Sequence, residues 1–435
     1  MLCRRPRVVL ISCPAPMLED DSRQPPNGLV SIATVVRRLG FEISVRDLAG
    51  VRPDALCGAI GDADVIGFAT YTATYKTAVL LKDELQRRNP AVITVAGGPH
   101  ASALPEEVAR DFDIVVAGEG EQVFPELLNA LRDGAERQRP QITIAKPIED
   151  LDSLPFPDFE AFCDMSRYNR RMYGRPVMCL DSSRGCNYSC RFCNSRVATR
   201  GRWRARSAGN VAAEVAWHRH RGWTAFRYND DNFLADPARA VDICDRFRGL
   251  DIIFRIFARA ASLCDRRLCR ALRVAGCRHV GVGVESMSPT MLARMGKAER
   301  VETIRRGIQV AHDEGLTVRG FFVVGFPGET DETVAESING LQDLPLAEAI
   351  VYPAIPYPGT DLFRAPETSG SGTSRITWID PNFDNYIQVG RNRESGFTMA
   401  TASFGVDDVR RWRDLYMAAF QARGIAWSAS TGEVV

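Results

Sequence analysis

Short apolar runs alternate with helical periodicity along the first third of the chain. Buried-strand patterns occur at residues 7–12, 42–47, 65–69, 92–96 and 114–117, and helical spacing of apolar residues occurs at 28–39, 75–88 and 122–132. This alternation is typical of a parallel α/β sheet with helices on both faces, which binds ligands at the carboxyl ends of its strands. We therefore predict a doubly wound domain over residues 1–140.

The alternation resumes after a proline-rich stretch at 141–175, which we predict to be a linker. Strand patterns follow near 177–181, 225–228, 252–258, 279–284, 317–324 and 349–353. Six strand–helix units predict a partial (β/α)6 barrel over residues 176–365, with its active site at the strand carboxyl ends. Residues 366–435 form a small C-terminal region, predicted on the substrate side, with a mobile loop at 366–375 and one helix at 406–423.

Composition narrows the class of protein. The 435 residues are 45% hydrophobic and 25% charged, which is typical of a soluble globular protein. Lys plus Arg number 55 against 54 Asp plus Glu, so no overall field attracts nucleic acid, and a small-molecule or peptide substrate fits better. No run is long enough for a signal peptide core or a membrane span, and we expect a cytoplasmic protein with no membrane partner.

Polar and glycine-rich residues follow three neighbouring strands of the first domain. They are Thr70, Tyr71 and Thr72 after the third strand, Gly97, Gly98 and His100 after the fourth, and Gly118, Glu119 and Gly120 after the fifth. Glycine lets the backbone approach a ligand closely because it has no Cβ. Tight strand-to-helix turns would also use glycine, but three such exits together favour a binding site.

Three of the twelve cysteines are closely spaced. Cys186, Cys190 and Cys193 form a C-x3-C-x2-C pattern directly after a predicted strand, where chance gives on the order of 0.01 matches. Thiolates bind zinc or iron–sulfur clusters, and a structural zinc site would need a fourth ligand at matched spacing, which is not evident. Three cysteines can instead hold three irons of a [4Fe-4S] cluster and leave one iron open.

This loop, with Phe192 before its last cysteine, resembles that of the radical S-adenosylmethionine superfamily. The resemblance implies that S-adenosylmethionine binds the open iron and is cleaved to a 5′-deoxyadenosyl radical, with electrons from a donor such as a flavodoxin or ferredoxin. It also implies cofactor contacts from segments that follow barrel strands. The implied residues, besides Phe192, are Asp230, Asp231, Glu285, Ser286, Arg319, Gly325, Phe326 and Gly328.

The first domain resembles the cobalamin-binding domain that precedes the barrel in many radical enzymes of the methyltransferase class. The strand exits from Thr70 to Gly120, together with the segment 25–29, carry this resemblance. It implies cobalamin contacts from Thr70, Tyr71, Thr72, Gly97, Gly98, His100, Gly118, Glu119 and Gly120. The D-x-H-x-x-G motif that supplies a histidine to cobalt is absent, so His100 is not assigned as a cobalt ligand.

The two resemblances together favour methylation of an unactivated carbon of a small-molecule or peptide substrate in specialised metabolism. A rearrangement, cyclisation or oxygenation with the same cofactors is the main alternative. Methylthiotransfer is less favoured, because Cys3, Cys13 and Cys57 make a poor second cluster set. A redox sensor would leave the barrel-end segments without a role. The substrate and the catalytic residues are not assigned from the sequence.

Overall fold

The computed structural model describes residues 5–15, 21, 24–134, 140–368, 374–387, 396–427 and 433–434. Its contacts divide the chain into two units, Met1–Asn169 with Val197–Arg200, and Arg170–Arg196 with Gly201–Val435. Both units are built from strands and helices in alternation, as the hydrophobic pattern predicts. None of the described helices combines the length and the apolar character needed to cross a lipid bilayer.

The first unit contains a six-stranded, entirely parallel sheet. Its strands are β1 (Val8–Ser12), β2 (Ile43–Asp47), β3 (Val65–Ala69), β4 (Ile93–Gly97), β5 (Ile114–Ala117) and β6 (Gln141–Ile144). They lie in the order β2-β1-β3-β4-β5-β6. The helices are α1 (Asn27–Arg38), α2 (Leu56–Ile60), α3 (Tyr75–Arg88), α4 (Pro99–Ala103), α5 (Pro105–Val108), α6 (Gly120–Arg132) and α7 (Phe159–Phe162).

The central strands of this sheet are apolar on both faces because each face is covered by helices. One core includes Phe68, Leu81 and Phe112, and a second core includes Val36 and Phe124. Parallel strands buried on both faces read as continuous apolar runs, which is why their positions are clear in the sequence. The predicted doubly wound sheet is confirmed.

The structure differs from the sequence prediction at the end of this unit. Strand β6 lies inside the stretch predicted as a linker and pairs with β5 as an edge strand. Residues up to 169 also belong to this unit, since the Asp158 amide donates to Thr34 Oγ1 at 3.0 Å and the Tyr168 hydroxyl donates to Asp47 at 2.8 Å. Alternating half-buried residues at an edge give a weaker pattern than a central strand does.

The second unit contains a curved sheet in the order β18-β15-β14-β13-β12-β11-β8-β7-β19. Six parallel strands form the partial barrel: β8 (Arg175–Leu180), β11 (Ala225–Tyr228), β12 (Ile253–Ala258), β13 (Cys277–Glu285), β14 (Thr317–Val324) and β15 (Glu348–Pro353). These match the six predicted strands. Shorter strands are β7 (Arg171–Met172), β9 (Ser183–Arg184), β10 (Arg204–Ala205), β16 (Ile376–Ile379), β17 (Met399–Thr401), β18 (Ala426–Trp427) and β19 (Glu433–Val434).

The helices after residue 170 continue the numbering from α7. They are α8 (Ser195–Thr199), α9 (Ala208–Arg219), α10 (Pro237–Phe247), α11 (Ala260–Leu263), α12 (Arg266–Val274), α13 (Pro289–Arg294), α14 (Val301–Asp313), α15 (Asp331–Gly340), α16 (Asp361–Thr368) and α17 (Val406–Ala422). The rings of Tyr228 and Phe254 pack on Phe247 of α10, so these strand residues face the helices. The alternate residues of each strand face the barrel interior.

The C-terminal region departs from the prediction at one element and matches it at another. Helix α16 continues to Thr368 where a mobile loop was expected, and residues 369–373 of that predicted loop lie outside the described residues. The predicted last helix is confirmed as α17, whose Tyr416 and Phe420 rings contact Phe322 of β14 at 5.8 and 5.6 Å. Since Phe322 points away from the interior, α17 covers the helix-bearing face.

Candidate active site

The three cysteines of the C-x3-C-x2-C motif lie in a loop at the carboxyl end of the first barrel strand, β8. All three are partly exposed free thiols. The turn before Cys186 uses Gly185 with φ +85°, a left-handed conformation that glycine adopts without the steric cost of a Cβ. The loop therefore begins where barrel active sites lie.

Asp230 holds the start of this loop in place. Its carboxylate accepts hydrogen bonds from the Ser182 amide at 2.8 Å, from the Ser182 hydroxyl at 2.6 Å and from the Ser183 hydroxyl at 2.5 Å. Asp230 is buried, so its oxygens face protein donors in the described structure. The neighbouring Asp231 is exposed and accepts a hydrogen bond from the Gly185 backbone. Asp230 thus stabilises the start of the loop through hydrogen bonds, and Asp231 lies beside the cysteine loop.

Backbone hydrogen bonds fix the rest of the loop. The Arg191 amide donates to the Met295 carbonyl at 2.9 Å, and the Leu362 amide donates to the Arg191 carbonyl at 3.0 Å. The Cys193 amide donates to the Cys190 carbonyl at 3.1 Å, which forms a tight turn between these two cysteines. Segments from distant parts of the second unit thus set the loop conformation.

Arg259 provides a positive charge beside the thiols. It follows β12 directly, and its Nη1 lies 3.7 Å from Cys190 Sγ. Its guanidinium stacks on the Tyr188 ring at 3.7 Å from the ring centroid and pairs with Glu299 at 3.3 Å. A guanidinium held near sulfur stabilises the negative charge of thiolates and of a cluster bound by them.

Burial acts against thiolate formation in the absence of a metal. It raises the pKa of Cys186, and it raises the pKa of Cys193 to about 11. The Ser195 hydroxyl lies 3.3 Å from Cys193 Sγ, where it can donate to a thiolate. Soft sulfur donors, an adjacent cation and a hydroxyl donor fit an anionic iron–sulfur cluster. Across the described part of the chain, no three His, Cys, Asp or Glu side chains converge on one metal ion position.

Glu285 ends strand β13 and lies in a buried charge network. It has φ +64° and its carboxylate pairs with Lys297 Nζ at 3.1 Å, while Lys297 also lies 3.6 Å from Glu299. A side chain on Gly283 would collide with both Glu285 and Lys297, so glycine is required to leave room for this pair. Through Glu299, the network connects to Arg259.

Two residues predicted to contact S-adenosylmethionine have other partners. Ser286 is buried, and its hydroxyl lies 2.6 Å from Ser337 Oγ and accepts from the Ser288 amide at 3.1 Å. Arg319 forms a two-contact ion pair with Glu348 near the amino-terminal ends of β14 and β15. The expected contact of Arg319 with S-adenosylmethionine stays a prediction, and the structure places this guanidinium at the opposite end of its strand from Gly325.

The Gly325 to Glu329 segment forms a tight loop after β14. Gly325 and Gly328 have φ +79° and +90°. Buried Glu329 accepts hydrogen bonds from the Gly325 and Phe326 amides, which closes the loop. The Phe326 ring meets Phe192 of the cysteine loop edge-on, with centroids 6.5 Å apart. The structure thus brings this segment, which the resemblance implies in cofactor binding, against the cysteine loop.

In the first unit, the exits of β3 and β4 interlock. Thr70 Oγ1 donates to the Gly97 carbonyl at 2.9 Å and accepts from the Ala101 amide at 3.2 Å. Gly98 has φ +99°, and a Cβ there would lie 3.0 Å from the Thr70 carbonyl oxygen. These contacts keep the two exits close together.

His100 and Tyr71 lie at the same strand ends. His100 is fully buried, with Nδ1 3.1 Å from Thr72 Oγ1 and its ring centroid 4.3 Å from that of Tyr75. Burial lowers the pKa of His100 to about 4, so the imidazole is neutral at pH 7. Tyr71 is 52% exposed, which leaves its ring available to a ligand at this edge.

The exit of β5 is equally constrained. Gly118 has φ +108°, and its amide donates to Ser102 Oγ at 2.9 Å. Glu119 accepts from the Ile148 amide at 2.6 Å, and a Cβ on Gly120 would lie 2.8 Å from Ile32. Since β3, β4 and β5 are neighbours, all three predicted polar exits lie along one sheet edge.

Two family models match these two regions. The B12 binding domain model matches residues 14–128, and the Radical SAM superfamily model matches residues 180–341. An uncharacterized methyltransferase from Pyrococcus horikoshii is 31% identical over 364 residues, covering 78% of each chain. The chain belongs to the B12-binding radical S-adenosylmethionine family. Its cofactors are therefore a [4Fe-4S] cluster, S-adenosylmethionine and cobalamin.

Other members of the family have different named reactions. An anaerobic magnesium-protoporphyrin IX monomethyl ester cyclase from Rubrivivax gelatinosus is 27% identical, and the alignment covers 69% of this chain and 58% of that protein. The solved structure of the radical S-adenosylmethionine methyltransferase TsrM from Kitasatospora setae aligns with a TM-score of 0.66 at 19% identity, covering 83% of this chain and 78% of TsrM. This last likeness confirms the fold.

Sequence reasoning missed the charged residues around the cysteine loop. No sequence motif marks Arg259, Lys297 or Glu299. The one signal that could have found any of them is the position of Arg259 directly after a predicted barrel strand. Ser195 lies two residues beyond the last cysteine, and its contact with sulfur depends on the turn of α8. Such contacts join distant segments and have no periodic signature in the sequence.

Proposed function

We propose that the protein methylates an unactivated carbon of a small-molecule or peptide substrate. In this proposal, Cys186, Cys190 and Cys193 hold the [4Fe-4S] cluster, and cobalamin binds at the exits of β3, β4 and β5. When bound, the cluster supplies the electron that cleaves S-adenosylmethionine, and cobalamin supplies a carrier for the methyl group. The methyltransferase from Pyrococcus horikoshii, which spans most of this chain, supports methylation.

The observation that carries the proposal is the convergence on the cysteine loop. The guanidinium of Arg259, after β12, and the Gly325 to Glu329 loop, after β14, both contact it. A cation beside Cys190 offsets the charge of a cluster, and the loop offers backbone groups to a nucleoside. This arrangement would orient a cofactor while packed side chains exclude water from the reaction.

The proposed roles of individual residues follow from their surroundings. Glu285 presents a carboxylate to the ammonium group of S-adenosylmethionine while Lys297 holds it in position. Asp231 is exposed beside Gly185 and faces the same ligand space, whereas Ser286 and Asp230 position the loops that surround it. Phe192, Phe326 and the glycines at 325 and 328 form the apolar and backbone contacts to adenine.

The cobalamin pocket is proposed from the sheet edge of the first unit. Interlocked glycine turns at Gly97, Gly98, Gly118 and Gly120 let backbone come close to a flat macrocycle. Tyr71 offers an exposed ring, and Thr72 orients the neutral His100. Thr70 and Glu119 fix the turns through hydrogen bonds rather than by direct contact with the ligand.

A cyclisation or other rearrangement is the second candidate function, favoured by the relative named as a cyclase. Both reactions use radical cleavage of S-adenosylmethionine and produce 5′-deoxyadenosine. Only methyl transfer also converts S-adenosylmethionine to S-adenosylhomocysteine. The two functions can therefore be separated before the substrate is known.

The test uses anaerobically reconstituted protein with cobalamin, a low-potential reductant and S-adenosylmethionine carrying a deuterated methyl group. We expect both 5′-deoxyadenosine and S-adenosylhomocysteine, measured by mass spectrometry. Formation of 5′-deoxyadenosine with no S-adenosylhomocysteine would reject methylation and support the cyclase-type reaction.

A cysteine pair provides the matched control. Cys190→Ala removes a proposed cluster ligand, whereas Cys57→Ala removes a partly exposed thiol in α2 of the other unit. We expect loss of 5′-deoxyadenosine formation only in Cys190→Ala. Equal cleavage in both variants would contradict the cluster assignment and the catalytic role of this loop.

A further inference from the structure

A layer of positive charge crosses the barrel interior below the proposed cofactor site. In the sheet register, Arg227 of β11 pairs with Arg255 of β12, and Arg255 pairs with His279 of β13. Residues in register project to the same face, and the rings that face the helices belong to the alternate residues, such as Phe254. These three side chains therefore face the interior of the partial barrel.

Arg255 is the member of this layer without a counter-charge. Its side chain is 5% exposed, its Nε is buried without a hydrogen-bond partner, and no ion pair is formed to it by any described residue. Its guanidinium carbon lies over the Phe257 ring, 5.2 Å from the ring centroid. A buried cation without a partner is costly because it has lost its hydration.

The surrounding groups do not neutralise this charge. Burial, followed by the positive charges of Arg227, Arg319 and Arg170, shifts the pKa of Arg255 well below its usual value. Burial also raises the pKa of Cys179, so that thiol is protonated and contributes no negative charge. Burial is the first cause of both shifts, and the neighbouring arginines add to it only for Arg255.

The nearby carboxylate is already occupied. Glu348 forms the two-contact pair with Arg319 and also lies 3.6 Å from His279 Nε2. Burial and the neighbouring arginines lower the pKa of His279 well below its usual value. This imidazole is therefore neutral and forms no ion pair with Glu348. Because the Glu348 carboxylate is paired with Arg319, it does not neutralise Arg255, and the Arg255 guanidinium can pair with a ligand.

We propose that Arg255, with Arg227 beside it, forms a binding subsite for an oxyanion group of the substrate, a carboxylate or a phosphate, inside the barrel. Guanidinium groups recognise both of these groups through paired hydrogen bonds. Arg255 and Arg259 are four positions apart, which places their backbones about 13 Å apart along an extended strand. Between them lies an aromatic layer in which the ring centroids of Phe257 and Phe321 are 5.8 Å apart and those of Phe321 and Tyr352 are 6.3 Å apart.

The subsite deepens the proposed function, because it rests on that function for its role in the reaction. It predicts that the substrate carries its anionic group away from the carbon that reacts. The charge is bound at the amino-terminal half of the strands, and the reacting carbon lies at their carboxyl ends near the cysteine loop. The aromatic layer would contact the part of the molecule between them.

Binding can be tested without turnover, so its outcome is independent of whether methylation occurs. The full-length protein is melted in chloride buffer with increasing inorganic phosphate or succinate, at matched ionic strength. We expect a saturable rise in Tm with phosphate, with succinate or with both, and the effective anion identifies a phosphate-bearing or carboxylate-bearing substrate. No rise beyond that in chloride for either anion would overturn the proposal, and this result needs no variant.

Arg255→Met tests the residue itself. We expect the apparent Kd of the effective anion to rise at least tenfold, while the Tm in chloride alone is equal or higher because an uncompensated buried cation has been removed. A packing role for Arg255 would instead lower the Tm in chloride, and that result would contradict the proposal. Arg248→Met, at an exposed arginine paired with Asp245, is the matched control and should leave anion binding unchanged.

Retained anion stabilisation in Arg255→Met would also overturn the assignment. If that variant does not fold, Arg255→Lys keeps the charge and loses the paired donors, and we expect weaker but measurable anion binding. The two product measurements for S-adenosylmethionine are made separately on the wild-type protein. Failure of methylation with intact anion binding, or the reverse, is therefore distinguishable.

Discussion

At the residue scale, Arg259 is the side chain most closely linked to the electronic properties of the cysteine loop. Its guanidinium lies 3.7 Å from Cys190 Sγ, and it is 6% exposed. A positive charge and a donor near a cluster sulfur stabilise the reduced, more negative state. We expect Arg259→Met to lower the cluster reduction potential by on the order of 60 mV, the one-electron equivalent of a tenfold change.

A redox titration followed by electron paramagnetic resonance checks this prediction. Arg259→Lys keeps the charge and should recover part of the shift, while Arg266→Met removes an exposed arginine paired with Glu314 and should cause none. An unchanged potential in Arg259→Met, at full iron content, would show that this guanidinium only supports the fold of the loop.

Residue-level prediction from sequence succeeds where a motif or a strand end fixes the position. The strand exits at Gly98 and Gly118 were predicted, and their left-handed backbone explains why glycine is needed there. The pairing of Arg319 with Glu348 was not predicted, because it joins two strands and depends on their register. The sequence shows a charge at each position but not which opposite charge it meets.

At the element scale, the close contact of α11 and α14 sets the position of Arg259. A Cβ on Gly307 of α14 would collide with the carbonyl oxygen of Ala260, the residue after Arg259. We expect Gly307→Ala to destabilise the protein by about 1–3 kcal/mol, a typical cost of overpacking, and to shift Arg259 away from Cys190. Thermal melting of the reconstituted protein measures the first effect, and the cluster potential measures the second.

Gly209→Ala is the matched helix variant for Gly307→Ala. The position lies in α9, where an added Cβ would meet no atom closer than 3.9 Å. Alanine in an open helix position is favoured over glycine by up to about 1 kcal/mol. Equal stability changes at the two positions would indicate that the approach of α14 to Ala260 is looser than the structure shows.

The Gly325 to Glu329 loop gives a pH-dependent prediction. Burial raises the pKa of Glu329 to about 8, although two backbone amides act in the opposite direction. Between the unfolded pKa near 4.5 and pH 8, the folded state holds a proton that the unfolded state has lost. Stability contributed by this protonated group is therefore present below about pH 4.5 and falls by up to about 1.4 kcal/mol per pH unit as pH rises to 8.

Calorimetric melts of wild type and Glu329→Gln between pH 5 and pH 8 test this assignment. The amide keeps the size of the carboxyl group and does not titrate, so the variant should show a smaller decrease in Tm with pH. If Tm decreases equally with pH in both proteins, Glu329 keeps a normal pKa. The loop would then be closed by a charged carboxylate.

At the element scale, sequence periodicity identified all six barrel strands and the last long helix. It did so because these strands are buried and mostly apolar, as in β12, where Arg255 is the one charged residue. Strand β6 has alternating burial at an edge and was predicted as a linker. An edge strand depends on its neighbour for its conformation, and that neighbour is not visible from the local sequence.

At the scale of the whole molecule, the chain comprises two units, each with its own core and its own cofactor region. The sequence predicted this division but placed the first boundary at 140. The structure extends the first unit to 169, since side-chain contacts such as that of Tyr168 with Asp47 tie the later segment to the first sheet. Long-range contacts of this kind have no local pattern.

Separate units predict that the two cofactors can be lost independently. Gly98→Ala places a Cβ 3.0 Å from the Thr70 carbonyl at a φ of +99°, so the β3 and β4 exits must separate. We expect this variant to lose bound corrinoid and to keep iron and sulfide at wild-type levels. Cys190→Ala should show the reverse, because its position lies in the other unit.

The measurement is an anaerobic absorbance spectrum of each reconstituted variant, with iron, sulfide and corrinoid quantified on the same sample. Gly58→Ala, in α2 with open space around the added Cβ, controls for a general effect of replacing glycine in the first unit. Loss of both cofactors in Gly98→Ala, with Gly58→Ala unaffected, would mean that the cobalamin region and the cysteine loop are stabilised together. Loss of only one cofactor in each variant would instead show that each cofactor is held by its own unit.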